Sequence, residues 1–117
     1  MEPIRTGIIG YGRMAANHLG FMRECGLYDV IGVCDITESR RDAAAEEGLK
    51  VTDNLDALLS WDIELVLITT HSSAHYADAL VVAEAKKHML IEKPMALRAS
   101  EAEEMLDAAR VNGVTLT

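Results

Sequence analysis

The chain has 117 residues, half of them hydrophobic but only 4% aromatic, and a formal net charge of −8 at pH 7. That length holds one domain with a genuine core, and the negative field, with no Lys/Arg cluster to override it, excludes nucleic acid and anionic lipid as partners. No apolar stretch reaches the ~18 to 20 residues of a membrane span, and the start lacks the basic-then-apolar layout of a signal peptide, so a cytoplasmic location is expected.

The first element is an apolar strand through Gly7-Ile8-Ile9, which runs into Gly10-Tyr11-Gly12-Arg13-Met14-Ala15. This is a G-x-G-x-x-A turn between a strand and a helix, a phosphate-binding signature. Gly10 supplies the tight turn, Gly12 lets the backbone approach a pyrophosphate, and small Ala15 lets the helix pack close to the strand. The anion then sits at the helix N-terminus. The helix itself is expected over 14–24, stopped by Gly26.

A second strand, 29–35, ends in Asp35, about twenty residues past the turn, where dinucleotide folds place the carboxylate that meets the adenosine ribose. Its charge would repel a 2′-phosphate, which favours NAD. Asp35 has another reading, as the cap of the helix that starts near Thr37. Arg40 and Arg41, shortly downstream, could offset a 2′-phosphate if their helix start faces the adenosine pocket, so NADP is disfavoured but stays open.

A polar, alanine-rich helix is expected over 39–47, stopping at Gly48, then a short strand over 50–52 and a helix capped by Asn54 through 59. Leu65 to Thr69 is a continuous apolar run, as in a central parallel strand buried on both faces. Residues 73–87 read as a helix with a buried stripe at Ala77, Leu80, Val81 and Ala85, followed by a strand over 88–91 that leads to Lys93-Pro94. Ser100 and Glu103 have capping-box spacing, with Ala102, Met105, Leu106 and Ala109 along one face and Gly113 as the stop. Residues 114–117 begin a further strand.

Strand and helix thus alternate throughout, which predicts an α/β fold: a doubly wound parallel sheet of the Rossmann kind, layered α/β/α, with its ligand at the carboxyl ends of the strands. Gly10, Asp35, Thr70 and Lys93 all fall at that edge. Cys25 and Cys34 are too few and too far apart for a disulfide framework or a metal cluster, and both are expected as free thiols. His71 and His75 lie one helical turn apart but lack an evident third ligand, so no metal site is expected.

Two further segments match a family pattern: Leu67-Ile68-Thr69-Thr70-His71-Ser72-Ser73-Ala74-His75 and Ile91-Glu92-Lys93-Pro94-Met95-Ala96-Leu97. With the glycine turn and Asp35, they resemble the N-terminal domain of the Gfo/Idh/MocA oxidoreductases, over the whole of residues 1–117. The family carries a G-x-G-x-x-G/A turn, an acid after the second strand, a T-P-x-x-x-H segment and an E-K-P motif. The resemblance implies NAD, with NADP as the option, held by Gly10, Tyr11, Gly12, Arg13, Met14, Asp35, Ile36, Arg40, Thr69, Thr70, His71, His75, Glu92, Lys93 and Pro94. It also makes Lys93 the catalytic residue, a lysine beside the nicotinamide that orients the substrate, polarises the reacting oxygen and helps move a hydroxyl proton. His75 matches the family histidine, with either a functional or a structural hydrogen-bonding role. The family often has a cis bond before the proline of E-K-P, which the residues alone do not decide.

This chain departs from the pattern at His71 and Ser72, where the family has proline and asparagine. That frees the backbone and adds an ionisable group near the nicotinamide side. The resemblance further implies reversible hydride transfer to or from a hydroxyl carbon of a sugar, cyclitol or related small polar molecule. The second domain that completes such a substrate pocket is absent here, so the chain is expected to be the N-terminal fragment of a two-domain enzyme, binding dinucleotide with little turnover. Self-association through the exposed domain face is a further expectation. A stand-alone nucleotide-sensing or partner-binding Rossmann module is the alternative.

Overall fold

Five strands lie parallel in one sheet of order β3-β2-β1-β4-β5 in the computed structural model, which describes residues 2–117. In chain order the elements are β1 Ile4–Ile9, α1 Arg13–Cys25, β2 Tyr28–Cys34, α2 Glu38–Glu46, β3 Lys50–Thr52, α3 Leu55–Ser60, β4 Leu65–Ile68, α4 Ser72–Glu84, β5 His88–Ile91 and α5 Ala99–Val111. The order reverses at β1, whose neighbours are β2 on one side and β4 on the other. A crevice therefore opens at the carboxyl ends of β1 and β4, where an open α/β sheet takes its ligand.

Strand side chains alternate between the two faces and fill two separate cores. Ile8, Val33 and Leu67 pack with Ala15, Leu19 and Met22 of α1 and Ala44 of α2. Ile9, Val66 and Ile68 pack on the other face with Leu58 of α3, Ala79, Val82 and Ala83 of α4, and Met105 and Ala109 of α5. The three layers read from the alternation are present, and β4, covered on both faces, needs the continuous apolar run it has.

One glycine allows a close approach and another a helix stop. Gly32 lies in β2 where an added Cβ would come 2.4 Å from the Lys50 carbonyl oxygen and 2.5 Å from the Trp61 ring. Trp61 also carries the Lys50 ammonium over its face, at 4.6 Å from the ring centre. Gly26 ends α1 at φ 72°, the left-handed conformation expected of it.

Several expectations need correction. Helix α4 ends at Glu84 rather than near Lys87, because Lys86 turns to φ 60° and the chain closes its last carbonyls there. Its buried residues are His75, Ala79, Val82 and Ala83, not the stripe of Ala77, Leu80, Val81 and Ala85. The helix is apolar nearly all round, so its sequence does not mark which face meets the sheet. The capping box at Ser100 does not form: the helix starts at Ala99 with Arg98 as its N-cap, so Ser100 lies inside the first turn. Leu106 faces outward, 49% exposed, while Met105 and Ala109 are buried. Residues 114–117 run beside β5 with a single bridge, Met89 to Leu116, rather than as a full strand. Asn54 does cap α3, its side-chain oxygen accepting the Ala57 N–H at 3.1 Å. Both cysteines are free, Cys25 exposed and Cys34 buried. No helix among the described residues is long and apolar enough to cross a membrane.

Candidate functional site

The turn after β1 is built around Gly10. Its φ of +85° suits glycine, and an added Cβ would lie 2.9 Å from the Thr70 backbone nitrogen and 3.0 Å from the Thr69 carbonyl oxygen. The end of β4 is thus pressed against the turn, and it is stitched there: the Thr69 N–H donates to the Ile9 carbonyl at 2.9 Å, and the Thr69 hydroxyl reaches the Ile9 and Gly10 carbonyls. Gly12 is the N-cap of α1, with no side-chain cap and no acidic residue in the first turn. The first N–H groups of a thirteen-residue helix therefore face outward with no side-chain acceptor, beside a backbone without Cβ. That arrangement is a ready seat for an anion.

Asp35 closes the same crevice from β2. Its carboxylate is 4% exposed; one oxygen accepts the Tyr11 N–H at 2.7 Å and the other the Thr37 N–H at 2.8 Å. The contact to Thr37 is an Asx-turn bond ahead of α2, whose N-cap is Thr37 with no side-chain cap, so Asp35 does not cap that helix. Each carboxylate oxygen has a second acceptor site, so both remain able to take a hydroxyl. Arg40 Nη1 stands 3.9 Å from the carboxylate and the Arg40 guanidinium carbon 3.8 Å from the Gly12 Cβ position, while Arg41 donates to the Asp35 carbonyl at 2.9 Å. Arg40 is the half-exposed cation that faces the crevice.

The crevice is a cleft of about 830 Å³. Of the residues singled out from the sequence, Gly10, Gly12, Arg13, Met14, Asp35, Ile36, Arg40, Thr69, Thr70 and His71 line it. Tyr11 does not: its N–H is engaged by Asp35 and its ring is 6% exposed, packed into the α1 core. Burial, with Glu47 nearby, raises the affinity of its phenol for its proton. His75 does not line the cleft either, being 1% exposed with both ring nitrogens on backbone carbonyls. Glu92, Lys93 and Pro94 stand outside the cleft lining, at the carboxyl end of β5, where the Glu92 N–H donates to the Ile68 carbonyl at 3.0 Å. Lys93 is exposed, and the Lys93-Pro94 bond is cis.

Two carboxylates in the lining went unread from the sequence, Asp53 and Asp78. Asp53 directly follows β3 and so sits at the carboxyl edge like Asp35. Asp78 shares a helical stripe with His71 and Ala74, which the spacing could have revealed. Burial raises the Asp78 pKa, opposed by the Thr70 hydroxyl, which donates to it at 2.8 Å, and by His75. The Cys34 thiol, at the end of β2, is pushed up to about 11 by burial first and then by Asp35, Asp78 and Asp53. The part of the cleft around Cys34 is therefore acidic, with Arg40 beside Asp35 as a counterweight. No group of three or more His, Cys, Asp or Glu side chains able to hold a metal ion occurs among the described residues.

Comparison with known proteins adds a family. Residues 4–117 match the oxidoreductase family with an NAD-binding Rossmann fold, Gfo/Idh/MocA. The chain is 30% identical to inositol 2-dehydrogenase of Salmonella typhimurium, over 94% of its own length and 34% of that protein. It is 33% identical to UDP-N-acetylglucosamine 3-dehydrogenase of Acidithiobacillus ferrooxidans, over 99% of its length and 36% of the relative. Among solved structures it is similar to the WlbA dehydrogenase from Bordetella pertussis in complex with NADH and UDP-GlcNAcA, with a TM-score of 0.93, 29% identity, and coverage of 99% of this chain and 35% of that one. The chain thus spans about a third of the length of the curated relatives it matches.

Proposed function

This chain belongs to the Gfo/Idh/MocA oxidoreductase family by its NAD-binding Rossmann fold, and on that premise we propose that it is the dinucleotide-holding part of a dehydrogenase acting on a hydroxyl carbon of a sugar, cyclitol or related small polar molecule. The observation that carries the reading is the uncapped start of α1 behind Gly10 and Gly12, beside the Asp35 carboxylate. NAD is the cofactor of this fold family, and the residues present fit it. The N–H groups of residues 12–14 would hold the pyrophosphate and Asp35 the adenosine ribose, with the exposed Ile36 beside it for the adenine. Arg40, with Arg41 behind it, is what would let the cleft take NADP as well.

On the other side of the glycine turn, Thr69, Thr70 and His71 form the wall that would face the nicotinamide. Bound there, the cofactor would supply hydride chemistry, taking up hydride from the carbon of a secondary alcohol as the hydroxyl loses its proton. This chain's own part is to hold and orient. The Lys93 ammonium, exposed at the end of β5, would polarise the reacting oxygen and help move its proton. Inositol, UDP-sugar and glucoside dehydrogenases among the relatives support a polyhydroxylated substrate.

We further propose that residues 1–117 are the N-terminal domain of a longer, cytoplasmic enzyme whose remaining part supplies the substrate pocket, so that the isolated chain binds dinucleotide with little turnover. Weak self-association through the exposed domain face is part of the same proposal. Amide NMR of the labelled chain tests the reading. NADH is expected to shift resonances of residues 10–14, 35–37 and 69–71; no shifts, or shifts confined to the opposite edge of the sheet, would overturn it.

A further inference from the structure

Lys93 is gripped from both sides by histidines of other elements. Before it in the chain, the Glu92 carboxylate meets His18 Nε2 of α1 at 2.6 Å. After it, the Pro94 carbonyl meets His75 Nδ1 of α4 at 2.8 Å. Both helices start on the cleft, α1 just after Gly12 and α4 just after His71. Both grips therefore run from the walls of the dinucleotide cleft to the loop that bears Lys93.

The two contacts differ in their hydrogens. An ionised Glu92 only accepts, so His18 needs one N–H, on Nε2, and a neutral ring suffices. His75 has a carbonyl at each nitrogen, Pro94 at 2.8 Å and Thr70 at 2.9 Å. A carbonyl only accepts, and a neutral imidazole carries a single N–H. Both bonds exist together only when both nitrogens carry a hydrogen. At 1% exposure the ring has no solvent to supply another partner, and a buried polar atom left without one is costly. The charged groups around the ring are Asp78, one turn on along α4 and bonded to the Thr70 hydroxyl, and Lys93 and Glu92 in the loop beyond Pro94, Glu92 being paired with His18. On α5, Glu104 is engaged by the Tyr76 hydroxyl. Asp78 is the nearest acid on the same helix; burial raises its pKa, against the Thr70 hydroxyl and His75.

We propose that His75, as an imidazolium donating to the Thr70 and Pro94 carbonyls, is a positioning residue that ties the Thr69–His71 wall of the cleft to Lys93, while His18 holds the Glu92 side. The proposal rests on the reading of Lys93 as the residue that meets the reacting oxygen. Its consequence is mechanical: the wall beside the nicotinamide and the loop bearing the lysine move as one body.

Nitrogen-15 NMR of the histidine rings in the free chain at neutral pH tests it, with the exposed His71 ring as internal comparison and His75→Asn to assign the signal. Two protonated, slowly exchanging ring nitrogens are expected for His75; a single N–H would overturn the proposal. His18→Gln, which keeps a donor for Glu92, should leave the Lys93 amide resonance in place, and His18→Ala should move it; equal effects of the two would overturn the His18 half. Should His75→Asn fail to fold, the wild-type ring still decides, assigned as the signal that persists in His18→Gln, His71→Ala and His88→Ala. Added NADH separates the two readings. Failure to bind it refutes the dinucleotide site and leaves the ring result standing, whereas NADH binding with a singly protonated His75 refutes only the brace.

Discussion

The Asp35 carboxylate accepts the Tyr11 backbone N–H at 2.7 Å, so the acidic end of β2 is tied to the residue between the two glycines of the turn. A second bond, to the Thr37 N–H at 2.8 Å, ties the same carboxylate to the start of α2. One side chain thus holds three backbone segments of the cleft in register, and any ribose it meets is met by a group already fixed in place. Such fixing lowers the ordering cost of binding.

Removing that carboxylate should show in stability before binding is considered. Asp35→Ala leaves the buried Tyr11 N–H without a partner, which costs roughly 1–3 kcal/mol. Urea unfolding followed by circular dichroism measures it, and an unchanged midpoint would show that the tie carries no weight.

Gly32 should tolerate no side chain. In Gly32→Ala the methyl would meet the Lys50 carbonyl and the Trp61 ring at 2.4 and 2.5 Å, contacts that only a shift of β3 together with the Trp61 ring can relieve. Overpacking of this kind costs about 1–3 kcal/mol. Because β3 lies on the sheet edge, the loss should appear as weakened amide protection in residues 50–52, read by hydrogen exchange, with β4 unaffected.

His71 replaces the proline of the family pattern, yet its backbone sits at φ −60° and ψ 147°, a conformation that proline shares. The freedom gained in the unfolded chain is therefore not used in the folded one. His71→Pro should stabilise the chain by roughly 0.4–1 kcal/mol, through the unfolded state. A lowered thermal midpoint would mean that the His71 N–H or ring holds the loop.

The two thiols should separate by reactivity. Cys34, buried and pushed up to about 11 by burial and the cleft carboxylates, stays protonated at pH 8, while Cys25 is exposed. The thiolate is the reactive form. An aromatic disulfide reagent at pH 8 should titrate one thiol per chain quickly, and the second only on unfolding; two fast thiols would contradict the packing at the end of β2.

What the residues revealed in advance follows from range. The glycine turn, the buried run of β4 and the acid at the end of β2 are local patterns, and each lies where its spacing predicts. Helix α4 shows the limit: Ala, Val and Leu on several sides leave its buried face to be chosen by the sheet, so His75 turned inward where Leu80 and Val81 were expected. The capping box at Ser100 failed for a similar reason, since the path of the chain out of the Lys93-Pro94 loop starts the helix earlier, at Ala99. The pairing of His18 with Glu92 joins residues 74 positions apart and carries no local signal. Asp78 was within reach, lying on the His71–Ala74 stripe, but a stripe says nothing until the cleft it faces is known.

The most direct measurement is a fluorescence titration of NADH and NADPH against the chain, beside Asp35→Ala held at a temperature where circular dichroism shows it folded. Saturable NADH binding, NADPH binding weaker by roughly tenfold or more, about 1.4 kcal/mol, and a collapse of that ratio in Asp35→Ala are the predicted results. Binding of neither nucleotide, or a ratio that Asp35→Ala leaves untouched, would contradict the assignment of the Asp35 side of the cleft to the adenosine ribose.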